Sequence, residues 1–596
     1  MYTSKRIRSY TAAIRKQSDK AHAGMTKNEF ELKNTKRRKT VYIALSLFGI
    51  ILLGVILNFS FYYGPSTDGW DSPYYAYFCT IILQKGFTAL PFSFFSAKYI
   101  FLLGMSAFFK FFGIGRLSYA MYGTLALVLT TIIIYFIGKN AYDERVGITA
   151  AFIFNIIPIT TILSSSGGDE IFVGMYTALT MLALVLAIKR KSKIWYLISG
   201  FIPFLGVLGS SEEMLFNYVV LVIILLFYLL KFKTKEQVLN LGFFALGIAL
   251  AIVAIILLDI LFQNQPAYYF AAQFSHARIA EDSSNSSPFI NFVNELFNPN
   301  FNPGLDIYGP YNNSMSPIRY LINLILFNRN PSYFSYFGLF ILFASAYLIY
   351  RKDKKAGIFI AYFYILFFYL SFGTISYFRY AFIYFTSRYA LIFAPSAALI
   401  IGTFLVSVVD KVRKDRADSI KKRWKMRIYI ILAALVILAL IITLINSLYS
   451  IAYNKYITFI GSAMYVELSP YIQSIPKNAT IYLTTGFTNN LTYSGYGNVG
   501  GLNILYMMPV SFFSGYKHTI NTMSATMPNC KEVKPNTYFI IINTSSLRYG
   551  TNPIVFVSNC SKLELLFKSY CLETPFPAEN KYLCPPDPQI SLYKST

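Results

Sequence analysis

The sequence predicts a polytopic α-helical membrane protein of about 11 transmembrane helices, carrying a small C-terminal extracytoplasmic α/β domain. Three observations carry this. Of 596 residues, 55% are hydrophobic and 13% charged, too apolar a balance for an ordinary soluble chain. Apolar runs recur over the first 450 residues, many of them close to the roughly 20 residues that cross a hydrocarbon core about 30 Å thick. The lysines and arginines between the runs gather on alternate loops.

The runs lie near 41–63, 118–138, 146–163, 171–188, 194–209, 214–230, 239–262, 333–350, 356–373, 389–408 and 428–450. Residues 1–40 hold twelve Lys/Arg against three acids, and 410–427 hold nine against three. Further clusters are Lys189-Arg190-Lys191, Lys231/Lys233/Lys235 and Arg351-Lys352-Asp353-Lys354-Lys355. With eleven spans and a cytoplasmic N-terminus, all of them fall on the same side, as the positive-inside rule requires of short loops. The net charge of +26 is therefore a topology signal, and no nucleic-acid role is expected.

Forty mostly polar residues precede the first run, which does not fit a cleaved signal peptide. Residues 1–40 read as a basic cytoplasmic tail attracted to anionic lipid. Asn-x-Ser/Thr sequons stand at Asn58, Asn285, Asn312, Asn478, Asn490, Asn543 and Asn559, all outside or at the outer edge in this topology. Cys79 stands alone in the first outer loop. Cys530, Cys560, Cys571 and Cys584 share the C-terminal region, where two disulfides have three connectivities open to them and free buried thiols are the alternative.

The 41–450 transmembrane domain has two long outer loops, 64–117 and 263–332. In the first, "KYIFLLGMSAFFKFFG" is interrupted by Lys110 and stops at Gly113, so it reads as a helix along the outer membrane surface. Residues 451–596 change character, with more Asn, Ser, Thr and Pro and no spanning run. There "ATIYLTTG" (479–486), "TYFIIINTSS" (537–546) and "PIVFVSN" (553–559) read as strands, and "VELSPYIQSIPKN" as a short helix.

Several acids converge on the outer face: Asp68, Asp71, Asp169, Glu170, Glu212, Glu213, Glu281 and Asp282. His276, Arg278, Arg379 and Arg388 share that side. Each alone reads as a solvated helix end, but ionisable groups at membrane depth are costly and together they outline a polar cavity.

This order of features resembles the GT-C superfamily of polyprenyl-phosphate-sugar-dependent glycosyltransferases, in particular its protein O-mannosyltransferase and lipid A aminoarabinose transferase branches. The likeness begins at Asp71-Ser72-Pro73-Tyr74-Tyr75-Ala76-Tyr77 and closes its first motif at Lys85-Gly86. It continues through "FFKFFG", the span "TLALVLTTIIIYFIGKNAYDERVGITAAFIFNIIP", the acid Asp169 opening the fourth span, and "GFIPFLGVLG". "FSHARIAEDSS" is similar to the family's His/Arg-bearing outer loop, and "SRYALIFAPSAALIIGTFL" to its Arg-Tyr span. The family's Asp-Glu is here Asp71-Ser72. Its lysine after "GLG-L" falls within Ser210-Ser211-Glu212-Glu213, and Ala120-Met121 stands where an arginine is expected, with Arg116 nearby.

The resemblance implies sugar transfer from a polyprenyl (dolichyl) phosphate to a protein or lipid-linked acceptor. Such transfer needs a base for the acceptor hydroxyl, cations for the departing phosphate and aromatics around the sugar. Asp71 is the candidate base, since a carboxylate among aromatics has its pKa raised toward working pH. It is also suited to cap the helix that follows. Asp169 is placed to orient Asp71 or to help hold a divalent cation, or to favour a helix N-terminus together with Glu170. Lys98, His276, Arg278 and Arg388 are candidates for the phosphate, with interfacial snorkelling the alternative for the long side chains. Asp68, Tyr74, Tyr75 and Glu170 complete the expected pocket. An oligosaccharyltransferase-like enzyme is a second reading, but its Trp-Trp-Asp motif has no counterpart among Trp70, Trp195 and Trp424. A transporter or non-catalytic membrane protein is a third, against which stands the clustering of charge at the outer rim rather than the midplane.

Overall fold

The computed structural model describes residues 27–60, 71–93, 95–166, 168–210, 212–232, 234–272, 337–372, 391–417, 434, 437–449, 451–452, 468–476, 479–484, 520–522, 535–542, 563–569 and 590–595. The chain forms two compact units, Met1–Leu53 and Gly54–Thr596.

Apolar runs become helices because a spanning backbone must satisfy its own polar groups. In order these are α1 (Lys27–Ser60), α2 (Asp71–Lys85), α3 (Tyr99–Phe112), α4 (Arg116–Ala141), α5 (Glu144–Ile156), α6 (Pro158–Ser166) and α7 (Glu170–Arg190). Then follow α8 (Lys193–Gly209), α9 (Phe216–Phe232), α10 (Lys235–Gln263), α11 (Phe337–Tyr350), α12 (Ala356–Phe372), α13 (Ala394–Ala417) and α14 (Ile437–Tyr449). Among the described residues, five helices are long and apolar enough to cross a membrane, or six if the bent pair α5–α6 is one span. Each of the eleven expected runs holds an apolar helix, and over the described residues five of those helices are shorter than 18 residues.

The bend between α5 and α6 is 61°. Pro158 lacks an N–H and pushes the residue before it out of the helical region, and Ile157 is accordingly extended (φ −67°, ψ 123°). The carbonyls this frees are met by hydroxyls: Thr160 Oγ1 donates to Phe154 and Ile157, each at 2.7 Å, and Thr161 Oγ1 to Asn155 at 3.1 Å. Ser447 of α14 donates to the Ile156 carbonyl. A break in a membrane helix is tolerated where such partners exist.

Close helix packing elsewhere rests on small residues. A Cβ at Gly200 would strike the Phe244 carbonyl, and one at Gly247 the Leu197 carbonyl, so α8 and α10 approach backbone to backbone. Asn58, one of the seven sequon asparagines, is fully buried. Its amide donates to Thr124 Oγ1 at 2.5 Å and its carbonyl accepts from Ser164 at 2.9 Å. Helical periodicity turns this asparagine inward.

Near the C-terminus five strands, β1 (Ile481–Thr484), β2 (Ile520–Thr522), β3 (Tyr538–Ile542), β4 (Leu563–Ser569) and β5 (Ile590–Ser595), form a mixed sheet in the order β2-β1-β3-β5-β4. β1 pairs in parallel with β2 and β3, while β5 runs antiparallel to β3 and β4. β1 and β3 occupy two of the expected strands, and a helix over 468–474 the expected helical stretch. The third, 553–559, lies outside the described residues, as do Cys530, Cys560, Cys571 and Cys584.

Candidate active site

The chain from Pro91 to Lys98 carries no long helix. A 3-10 turn over Phe95–Ala97 delivers Lys98 to the start of α3 with its side chain buried. Lys98 Nζ donates to Asp169 Oδ2 at 2.5 Å and to the Tyr75 hydroxyl at 2.6 Å. Asp169 takes the N-cap place of α7, yet its side chain makes no capping hydrogen bond, because the ammonium claims it. Tyr75 lies one turn into α2, packed edge-on against Phe95 (5.6 Å) and Phe101 (4.8 Å), with Lys98 Nζ 5.2 Å from its ring centre. Three separate elements thus bring an ammonium, a carboxylate and a phenol together in an aromatic setting. An ion pair in such surroundings is strong in Coulomb terms and costly in desolvation. A second anion of suitable shape would compete with Asp169 for the ammonium.

Of the expected site residues, Tyr75, Lys98 and Asp169 are in direct contact. Glu170 follows Asp169 in the first turn of α7 and is buried. Asp71 and Tyr74 belong to the first turn of α2. The four-residue step from Asp71 to Tyr75 is about 6 Å of helix rise. Asp68, His276, Arg278 and Arg388 lie outside the described residues. Cys79, on the same helix as Tyr75, is a buried free thiol donating to the Leu102 carbonyl at 3.5 Å, and burial pushes its pKa up to about 12.

Residues 100–258 match the family described as dolichyl-phosphate-mannose-protein mannosyltransferase. The crystal structure of ArnT from Cupriavidus metallidurans in the apo state superimposes with a TM-score of 0.50 at 10% identity, over 93% of this chain and 98% of that one. In fold the chain is similar to this GT-C structure. The oligosaccharyltransferase of Archaeoglobus fulgidus is similar over 84% of this chain and 69% of its own, at 14% identity and a TM-score of 0.45. No curated protein matches the chain.

The apolar helices, together with a fold similar to that of ArnT, are those of an integral membrane protein. The family match begins two residues beyond Lys98 and includes Asp169. Among the described residues no three of His, Cys, Asp or Glu stand where they could hold a metal ion. The Asp169 carboxylate faces an ammonium, so the described residues do not fit a divalent cation there. Sequence reasoning passed over Asp259, which is fully buried on α10 and accepts from the Tyr99 hydroxyl at 2.7 Å. The available signal was a lone carboxylate inside the apolar run "AIVAIILLDILF". Such residues in membrane helices are rare and mark function.

Proposed function

We propose that this protein transfers a sugar from a polyprenyl-phosphate donor to a hydroxyl of a protein or lipid-linked acceptor on the outer face of the membrane. The observation that carries the reading is the buried contact of Lys98 with Asp169 and Tyr75, one helical turn from Asp71. The family match over 100–258, described for dolichyl-phosphate-mannose-dependent enzymes, supports it.

In this reading Asp71 takes the proton of the acceptor hydroxyl as its oxygen attacks the anomeric carbon of the donor sugar. The bond from that carbon to the phosphate oxygen breaks, and polyprenyl phosphate leaves with the electron pair. Lys98 stabilises the charge developing on the leaving phosphate, exchanging its contact with Asp169 for one with the phosphate. Asp169 holds the ammonium in place until that exchange, and Tyr75 fixes its direction. Arg278, Arg388 and His276 are assigned to the same phosphate, and Asp68, Tyr74 and Glu170 to the surrounding pocket. The N-terminus is assigned to the cytoplasm and the C-terminal region to the outside.

Purified protein offered a panel of polyprenyl-phosphate sugars tests this. Release of polyprenyl phosphate from at least one donor, dependent on an acceptor, is the expected result. Donor-independent solute flux in proteoliposomes, with no donor consumed, would replace the enzyme reading with a transporter.

A further inference from the structure

We propose that Asp259 is a positioning residue for Lys98, clamping the start of α3 and the stretch after α10 in one arrangement; this rests on the reading of Lys98 as the donor-phosphate group. α10 buries Phe244, Gly247, Ala251, Ile255 and Asp259, spaced three and four apart, so Asp259 belongs to its inward stripe. Leu257, Ile260 and Leu261 around it are exposed on the apolar face. A carboxylate at that depth needs donors for both oxygens. The Tyr99 hydroxyl supplies one at 2.7 Å and the Tyr269 backbone N–H the other at 3.0 Å.

Both donors are in telling places. Tyr99 is the residue after Lys98, so fixing the Tyr99 ring fixes the backbone from which the Lys98 ammonium reaches Asp169 and Tyr75. Phe262, on the same helix as Asp259, packs against that ring at 5.2 Å. Tyr269 belongs to the stretch that leads into the long outer loop. Its neighbour Tyr268 bonds Ser96 at 2.7 Å, two residues before Lys98. One buried carboxylate therefore ties the span, the loop start and the phosphate-binding lysine together. Displacing any of the three shifts the ammonium.

The test uses full-length protein in detergent and farnesyl phosphate as the probe, read by calorimetry. Asp259→Asn keeps the size but puts a donor where an acceptor is needed; Tyr99→Phe removes one hydroxyl and keeps the ring packing. Tyr99→Phe should weaken farnesyl phosphate binding about tenfold, the scale of one hydrogen bond to a charged group, with the number of sites unchanged. Lys98→Arg retains the cation but moves its donors, and adding Tyr99→Phe to it should cause no further loss, because both act on one positioned group. Parent-like affinity in Tyr99→Phe, a loss additive with Lys98→Arg, or fewer sites at unchanged affinity would each overturn the positioning role. Failure of the parent protein to bind farnesyl phosphate would overturn the underlying reading, and the positioning role with it.

Discussion

Lys98 Nζ and Asp169 Oδ2 stand 2.5 Å apart with each side chain only 3% exposed, joining the start of α3 to the start of α7 across 71 residues of sequence. Removing one partner leaves the other charge buried without its counter-ion, which costs about 3–5 kcal/mol. Lys98→Met and Asp169→Asn should therefore each lower thermal stability in detergent sharply. The double variant, with no charge left at either position, should recover a large part of that loss. Additive losses would show that the two charges are not coupled.

A second expectation concerns Cys79. Burial raises its thiol pKa from 9.0 to about 12. The reactive form is the thiolate, so maleimide labelling of the native protein should stay negligible from pH 7 to 9 and become rapid on unfolding. The linkage has a definite sign. Above about pH 9 the unfolded chain gives up a proton that the folded chain keeps, so this group's contribution lowers stability as pH rises from 9 toward 12. Native-state labelling that climbs with pH between 7 and 9 would contradict the burial of Cys79.

The four C-terminal cysteines are expected to be paired and outside. Impermeant thiol reagents applied to intact cells should reach Cys530, Cys560, Cys571 and Cys584 only after reduction. Labelling without reductant would remove the disulfides, and protection in both states would invert the topology.

The apolar runs were legible because twenty residues of hydrocarbon leave a backbone no choice but helix. The 61° bend at Pro158 was not anticipated, since hydropathy averages over the break and says nothing of which hydroxyls will meet the freed carbonyls. Lys98 was visible as a charge opening the surface stretch 98–112 and Asp169 as one opening a span, yet their contact depends on how α3 and α7 pack. No local pattern encodes that. Asp259 was hidden for the opposite reason: the eleven apolar residues of "AIVAIILLDILF" absorbed it into a span. The burial of Asn58 was not legible, because a sequon carries no information on which side of a helix it falls. In the sheet, β1 and β3 are rich in Ile, Tyr and Phe, whereas the three residues of β2 and the mixed pattern of β4 give a weaker signal.

The most direct measurement is sugar transfer by Asp71→Asn beside the parent enzyme. Asparagine keeps the size of the side chain and caps a helix about as well as aspartate, so folding at the start of α2 is preserved. Only the charge and the basicity are lost. The variant should melt like the parent and bind farnesyl phosphate like the parent, while donor consumption falls about 100-fold or more, the range for removal of a general base. Asp68→Asn should retain much of the activity. Parental turnover by Asp71→Asn would contradict the account, reducing "WDSPYY" to a helix start at a membrane surface.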